Sequence, residues 1–112
     1  MEKVKSDRPF WRQGDIFFVK LEDTANAGQG APLKNGIIAR GETTGHTHRV
    51  SKASLAAGAV LYALARSLYL RSPEQGATVV HEEHKPIQLP AGIYAIVRQR
   101  EFDGLRWREV RD

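Results

Sequence analysis

The chain has 112 residues and no cysteine, and its 17 Lys and Arg against 13 Asp and Glu give a net charge of +4. This length predicts one domain with a single core, and the absence of thiols excludes disulfides and cysteine-ligated zinc. No apolar run is long enough to span a bilayer, and the first residues lack the apolar core of a signal peptide, so we expect a cytoplasmic protein with no membrane partner.

The first part of the chain predicts a polar arm followed by a buried strand. We assign residues 1–12 to the arm and residues 13–112 to a single β-domain. Gly14-Asp15 is typical of a turn, and the run Ile16 to Leu21 is apolar on both faces, which predicts a strand buried on both sides.

A loop and a tight turn come next. Residues 23–36 are rich in Gly, Pro and Asn and show almost no periodicity, which predicts a loop. Asn35-Gly36 at its end favours a tight turn into a strand that begins at Ile37.

The first histidine segment contains His46 and His48. Residues i and i+2 of an extended strand point to the same side, so these two imidazoles could share one metal ion. Gly45 allows the backbone to turn before the pair, and Glu42, four residues before His46, is a candidate for a further ligand or base. The alternative is that the two histidines belong to a partly exposed polar face.

Residues 51–72 are ambiguous between a helix and a hairpin. Leu61, Leu64 and Leu68 fall at helical spacing, whereas Gly58 interrupts that pattern. Two short strands around Ala65 fit better in a chain that is otherwise rich in β signals, and we favour the hairpin.

The second histidine segment contains His81, Glu82, Glu83 and His84. The preceding residues predict a strand, which would place His81 and His84 on opposite faces. Both can reach one ion only if the strand bulges or ends near Glu83, and Pro86 makes such an irregularity plausible. Spacing of three after β-branched residues also excludes the zincin helix motif, which needs histidines four apart.

The remaining segments add further strands. They are Ile87 to Leu89, Ile93 to Phe102 and a final edge strand from Leu105 to Val110. Together, the predicted segments indicate an all-β fold, a small barrel or sandwich of about seven to nine short strands. Exposed edges in such a domain favour a homodimer or a ring.

Two resemblances bear on this pattern. Gly41 followed by His46-Thr47-His48 resembles the first metal motif of cupins, a glycine followed by His-x-His. His81 or His84 is only loosely similar to the second cupin motif, because in cupins the histidine follows the Pro-x-Gly turn and here it comes before. The glutamate expected a few residues after His48 is missing, so the chain is cupin-like in style only.

The chain more closely resembles an uncharacterised family of small bacterial proteins. The similar segments are Arg12 to Asp15, Gly41 to Arg49 and His81 to Glu101, which match Arg-Gln-Gly-Asp, Gly-Glu-x-Thr-Gly-His-x-His-Arg and a stretch that begins His-Glu-Glu-His-x-Pro-Ile. The resemblance implies a common fold, brings no particular activity, and supports the strands within residues 60–71.

Three functional hypotheses follow. The first is a metal-binding β-domain in which His46, His48, His81 and His84 are ligands for Zn, Fe, Ni or Cu, with Glu42, Glu82 or Glu83 as auxiliary ligand or base. The second is a non-catalytic oligomeric module that binds RNA or DNA through a basic surface at Arg98 and Arg100. The third is a hydrogen-bonded polar cluster that only holds the two histidine segments together. The sequence names no substrate and leaves open whether the protein is an enzyme.

Overall fold

The chain folds as two antiparallel β-sheets, which the computed structural model describes over residues 8–21, 30–40 and 45–98. Within these ranges there are ten strands and one helix: β1 (Phe10–Gln13), β2 (Ile16–Lys20), β3 (Ala31–Pro32), β4 (Ile37–Arg40), β5 (Thr47–Val50), α1 (Lys52–Ala56), β6 (Val60–Leu64), β7 (Ser67–Ser72), β8 (Ala77–Val80), β9 (Ile87–Leu89) and β10 (Gly92–Arg98).

The strand order confirms the predicted all-β class. One sheet runs β1-β2-β10-β7-β6-β3 and the other runs β4-β5-β8-β9. The described strands form two sheets around one core and do not close into a barrel. There are ten of them rather than seven to nine, partly because residues 10–12 of the predicted arm belong to β1, which pairs with β2 from Phe10↔Val19 to Gln13↔Ile16.

The core lies between the two sheets, and strands such as β2 and β8 give it alternate side chains, Ile16 and Phe18 from the first and Ala77 and Val79 from the second. This alternation follows from the two-residue period of a strand. Strand β2 is buried on both faces, as the run of apolar residues predicts. The core residues come from both sheets and include Ile16, Phe18, Leu70 and Tyr94 on one side and Val50, Val79 and Leu89 on the other.

The segment over residues 60–72, whose sequence fits either a helix or a hairpin, forms the predicted hairpin. Strands β6 and β7 pair from Val60↔Arg71 to Leu64↔Ser67, and Ala65 in the turn has a φ of 57°. Leu61 and Leu70 face each other in the core, which fixes the register. The apolar residues at helical spacing are therefore shared between the two faces of a sheet.

A single helical turn, α1, was not predicted. Ser51 caps it by accepting the N–H of Ser54, and the Ser54 hydroxyl in turn accepts the N–H of Thr78 in β8. One turn is too short to produce a helical period in the sequence, whereas the serine contacts attach it to the sheet.

Some predictions fall outside the described residues. These are most of the arm, residues 23–29 of the loop predicted over residues 23–36, Glu42, Arg100 and the final strand from Leu105 to Val110. The described part of that loop contains the short strand β3, which was not predicted. The predicted Asn35-Gly36 turn is present, with a φ of 71° at Gly36. No helix in the described part of the chain is long and apolar enough to cross a membrane.

Two phenylalanines on neighbouring strands test the position of the core. Phe18 is 0% exposed and Phe10 is 50% exposed. We expect Phe18→Ala to lower the free energy of unfolding by about 3–5 kcal/mol because it leaves a cavity between the sheets. Phe10→Ala is the matched control, with an expected loss of less than about 1 kcal/mol. Urea unfolding measures both, and equal losses would contradict the assignment of the core.

Candidate functional site: a histidine cluster

All four histidines of the chain meet at one end of the gap between the sheets. The ring centroid of His81 lies 4.4 Å from that of His48, 4.5 Å from that of His84 and 5.6 Å from that of His46. The cause is strand pairing: β5 and β8 are antiparallel, with Arg49 opposite Val80, so the start of one lies beside the end of the other. His81 is therefore the centre of the cluster.

The first histidine pair converges on His81. Gly45 has a φ of 76°, which supplies the predicted turn before the pair. His48 lies within β5 and is 6% exposed, whereas His46 precedes the strand and is partly exposed. The first pair thus brings one buried ring, that of His48, and one partly exposed ring, that of His46, against His81.

The second pair depends on the irregularity that the sequence predicts. Strand β8 ends at Val80, and the chain bends before β9 begins at Ile87. The His81 Nδ1 accepts the backbone N–H of Glu83 at 2.9 Å and that of His84 at 3.3 Å, which closes the bend. The bend brings His84 back beside His81, where a regular strand would have placed them on opposite faces.

Gln13 is a site residue that sequence reasoning missed. It ends β1, is 2% exposed, and donates from Nε2 to the carbonyls of Val79 at 3.0 Å and Lys85 at 2.9 Å. Because carbonyl oxygens only accept, these two bonds fix the orientation of the amide. Its Oε1 therefore faces His48, with Nδ1 of that ring at 2.9 Å.

This contact determines the tautomer of His48. The Gln13 Oε1 can only accept, so His48 Nδ1 carries the hydrogen and Nε2 keeps its lone pair. Burial, followed by the electrostatic effect of His81, lowers the pKa of His48 to about 4, although the carboxylate of Asp15 opposes the shift. The Asp15 Oδ1 lies 3.7 Å from Nε2. At neutral pH His48 thus presents an unprotonated nitrogen on the side of Asp15.

Gly14 allows the β1–β2 turn to lie against the rings. Its φ is 61°, and a Cβ there would stand 2.6 Å from Nε2 of His84 and 3.3 Å from Cε1 of His48. Arg12 donates from Nε to the carbonyl of this glycine at 2.8 Å. The segment Arg12 to Asp15, of which the sequence predicts only that Gly14-Asp15 is a turn, therefore forms one wall of the site.

Two of the predicted auxiliary carboxylates lie at the cluster. Glu82 Oε1 accepts the N–H of Thr47 at 2.9 Å, and this bond lowers the pKa of Glu82. Glu83 Oε1 lies 3.7 Å from Nδ1 of His46. Both glutamates are exposed and join the two histidine segments. Glu42, the third, lies outside the described residues.

Three of these side chains form a group that could hold a metal ion. Ligand atoms of His46, His81 and Glu82 all lie within 4.8 Å of one another. Ligands of a tetrahedral zinc ion are closer together, about 3.3 Å for bonds of about 2.0 Å. Binding would therefore require the three side chains to move closer together, and two of them are on the exposed bend after β8.

Of the two arginines of the predicted basic surface, Arg98 lies within the described residues. This residue ends β10, opposite Ile16, and its positive charge contributes to the lowered pKa of His48. It therefore lies on the side of the molecule that carries the histidine cluster. Arg100 is beyond the described residues.

Fold and site together define a small two-sheet β-domain with an inter-sheet histidine cluster. Residues 12–99 match the family described as domain of unknown function (DUF8820), and the chain belongs to that family. No curated protein and no solved structure matches the chain. The matched range begins at Arg12 and so includes the wall of the site and all four histidines.

The depressed pKa of His48 predicts a pH-dependent stability. Between the ordinary pKa of 6.5 and the folded value of about 4, only the unfolded chain takes up a proton at this residue. Stability contributed by neutral His48 is therefore complete above pH 6.5 and lost as the pH falls towards 4. For metal-free protein we expect a loss from this residue of about 2.5 kcal/mol between pH 7.5 and 4.5.

The matched control for this effect is His48→Asn, which cannot titrate. Urea unfolding at both pH values should show a smaller loss in the variant, and the difference between the two proteins isolates His48. Equal losses would mean that His48 is not held neutral by its surroundings.

Proposed function

We propose that this protein binds a divalent first-row transition metal at the histidine cluster. His46, His81 and Glu82 are the primary ligands, and His48 and His84 lie beside them as further ligands or bases. The observation that carries the proposal is the convergence of every histidine in the chain on His81, with carboxylates beside them.

The donor atoms suit this class of metal. Imidazole nitrogens with a carboxylate oxygen are ligands for Zn, Fe, Ni or Cu, whereas thiolates are absent from the chain. Metal-binding histidines usually donate their second ring nitrogen to an oxygen acceptor, which fixes the ring. The bond from His48 Nδ1 to the Gln13 Oε1 is of this type.

The bend at His81 is the main energetic obstacle to metal binding. With Nδ1 accepting two backbone N–H groups, the neutral ring carries its hydrogen on Nε2, so offering a lone pair requires a change in these bonds. Losing such exposed hydrogen bonds costs about 1 kcal/mol each. A structural zinc site contributes on the order of 10 kcal/mol. The metal can therefore replace the hydrogen bonds of the bend.

An ion held by three ligands with an open position would supply Lewis-acid chemistry and activate bound water. In this proposal the carboxylates of Asp15 and Glu83 would act as proton acceptors, since each lies 3.7 Å from an imidazole nitrogen of the cluster. Two further expectations from the sequence stay predictions: assembly into a homo-oligomer, and binding of RNA or DNA through a basic surface.

Metal titration of the chelator-treated full chain tests the proposal. Calorimetry with Zn, Ni or Cu, and with Fe under anaerobic conditions, should give one ion per chain for at least one metal. His46→Ala, His81→Ala and Glu82→Gln should each weaken binding about tenfold or more because each removes a ligand. Glu74→Gln, an exposed carboxylate in the β7–β8 turn, is the matched control. Binding that survives in all three site variants, or no binding of any metal, would overturn the proposal.

The role of Gln13 gives a second test. Gln13→Met keeps the length of the side chain and removes both the oxygen that accepts from His48 and the nitrogen that donates to Val79 and Lys85. We expect about 10- to 100-fold weaker metal binding, the usual effect of losing the hydrogen-bond partner of a ligating histidine, with His48 as the further ligand beside His46, His81 and Glu82. Circular dichroism verifies that the variant is folded before titration. An unchanged affinity in folded Gln13→Met would exclude this positioning role.

A further inference from the structure

A pocket of about 470 Å³ opens between the two sheets beside the histidine cluster. Its walls include Ile16 and Ile96 from one sheet and Ile38 and Ala39 from the other. Three of these four are core residues, and Ile96 packs against that core. The volume falls in the usual range for small-molecule sites, about 300–1,000 Å³.

Strand pairing connects this pocket to the histidines. Ala39 in its wall lies directly opposite His48 in the β4–β5 ladder. Ile16 in the facing wall follows Asp15, whose carboxylate lies 3.7 Å from the His48 Nε2. A molecule in the pocket would therefore lie next to the buried member of the cluster.

Two arginines line the same pocket. Arg98 follows Tyr94 and Ile96 at two-residue spacing on β10, so its side chain starts from the face of the strand that is turned to the other sheet. Arg66 lies in the turn between β6 and β7 and is exposed. Guanidinium groups above apolar walls recognise an anion attached to an apolar body.

We propose that this inter-sheet pocket binds a small organic carboxylate with an apolar body, and that Arg66 and Arg98 hold the carboxylate. The apolar body lies between Ile16, Ile38 and Ile96. The link between this ligand and the histidines rests on the proposed metal site, since the ligand would then be the molecule presented to the metal.

The pocket is tested with the metal-free full chain in the presence of a chelator. The probe is 4-phenylbutanoate, the neutral comparison is 4-phenylbutanamide, and inorganic phosphate tests for a simple anion site. In amide NMR spectra we expect saturable shifts at the pocket residues Ile16, Ile38 and Ile96 with the carboxylate. The amide should bind about tenfold more weakly or worse because it lacks the charge.

Arginine variants complete the test. Arg98→Gln and Arg66→Gln should each weaken 4-phenylbutanoate about tenfold because each removes a charged hydrogen bond. Arg71→Gln, an exposed arginine on the same hairpin as Arg66, should have no effect. The proposal is overturned if 4-phenylbutanoate gives no saturable shifts, if the amide binds equally well, or if phosphate produces the same shifts with equal affinity.

The pocket and the metal site can fail separately. Metal binding with no carboxylate binding would overturn the pocket alone. Carboxylate binding in a chain that takes no metal would overturn the proposed function and leave the pocket as a ligand site. If both bind, zinc loading should change the affinity for 4-phenylbutanoate, and an unchanged affinity would overturn the link between the two.

Discussion

The buried amide of Gln13 connects the parts of the molecule on which the histidine cluster depends. It ends the first strand of one sheet and bonds to Val79, Lys85 and His48, which belong to the other sheet and to the bend that follows it. A buried amide without these partners would cost free energy, so the three bonds are made together. Strand pairing within one sheet brings the histidines together, and the bonds of Gln13 from the other sheet fix His48 and the bend in place.

The orientation of the Gln13 amide also sets the chemistry of His48, the most buried histidine. The two carbonyl acceptors turn the amide oxygen to His48, the oxygen places the hydrogen on Nδ1, and burial keeps the ring neutral. Each step follows from which groups can donate and which can only accept. A neutral imidazole with a defined lone pair is what both a metal ligand and a general base require.

The same end of the domain gathers the cluster and the arginine-lined pocket because strand ends meet there. The ladder pairs Ala39 with His48 and Arg98 with Ile16, while β5 begins where β8 ends. Polar groups at strand ends need not disturb the packing of the apolar core, which lies between the central parts of the strands. A site at such an end can therefore carry several titratable groups in a domain with one small core.

The sequence by itself determined the local features: the all-β class, the strand buried on both faces, the hairpin around Ala65, and two histidine segments of which the second needed a break in its strand. These follow from two-residue alternation and turn chemistry, which act between near neighbours. Only the tertiary structure decided that His81 is the centre, that Gln13 and Gly14 form a wall of the site, and that a pocket with Arg66 and Arg98 lies beside it. The bonds of Gln13 join residues 35 to 72 positions apart, and contacts at such separation leave no period in the sequence. They exist because the two sheets share one core, which is a property of the whole chain.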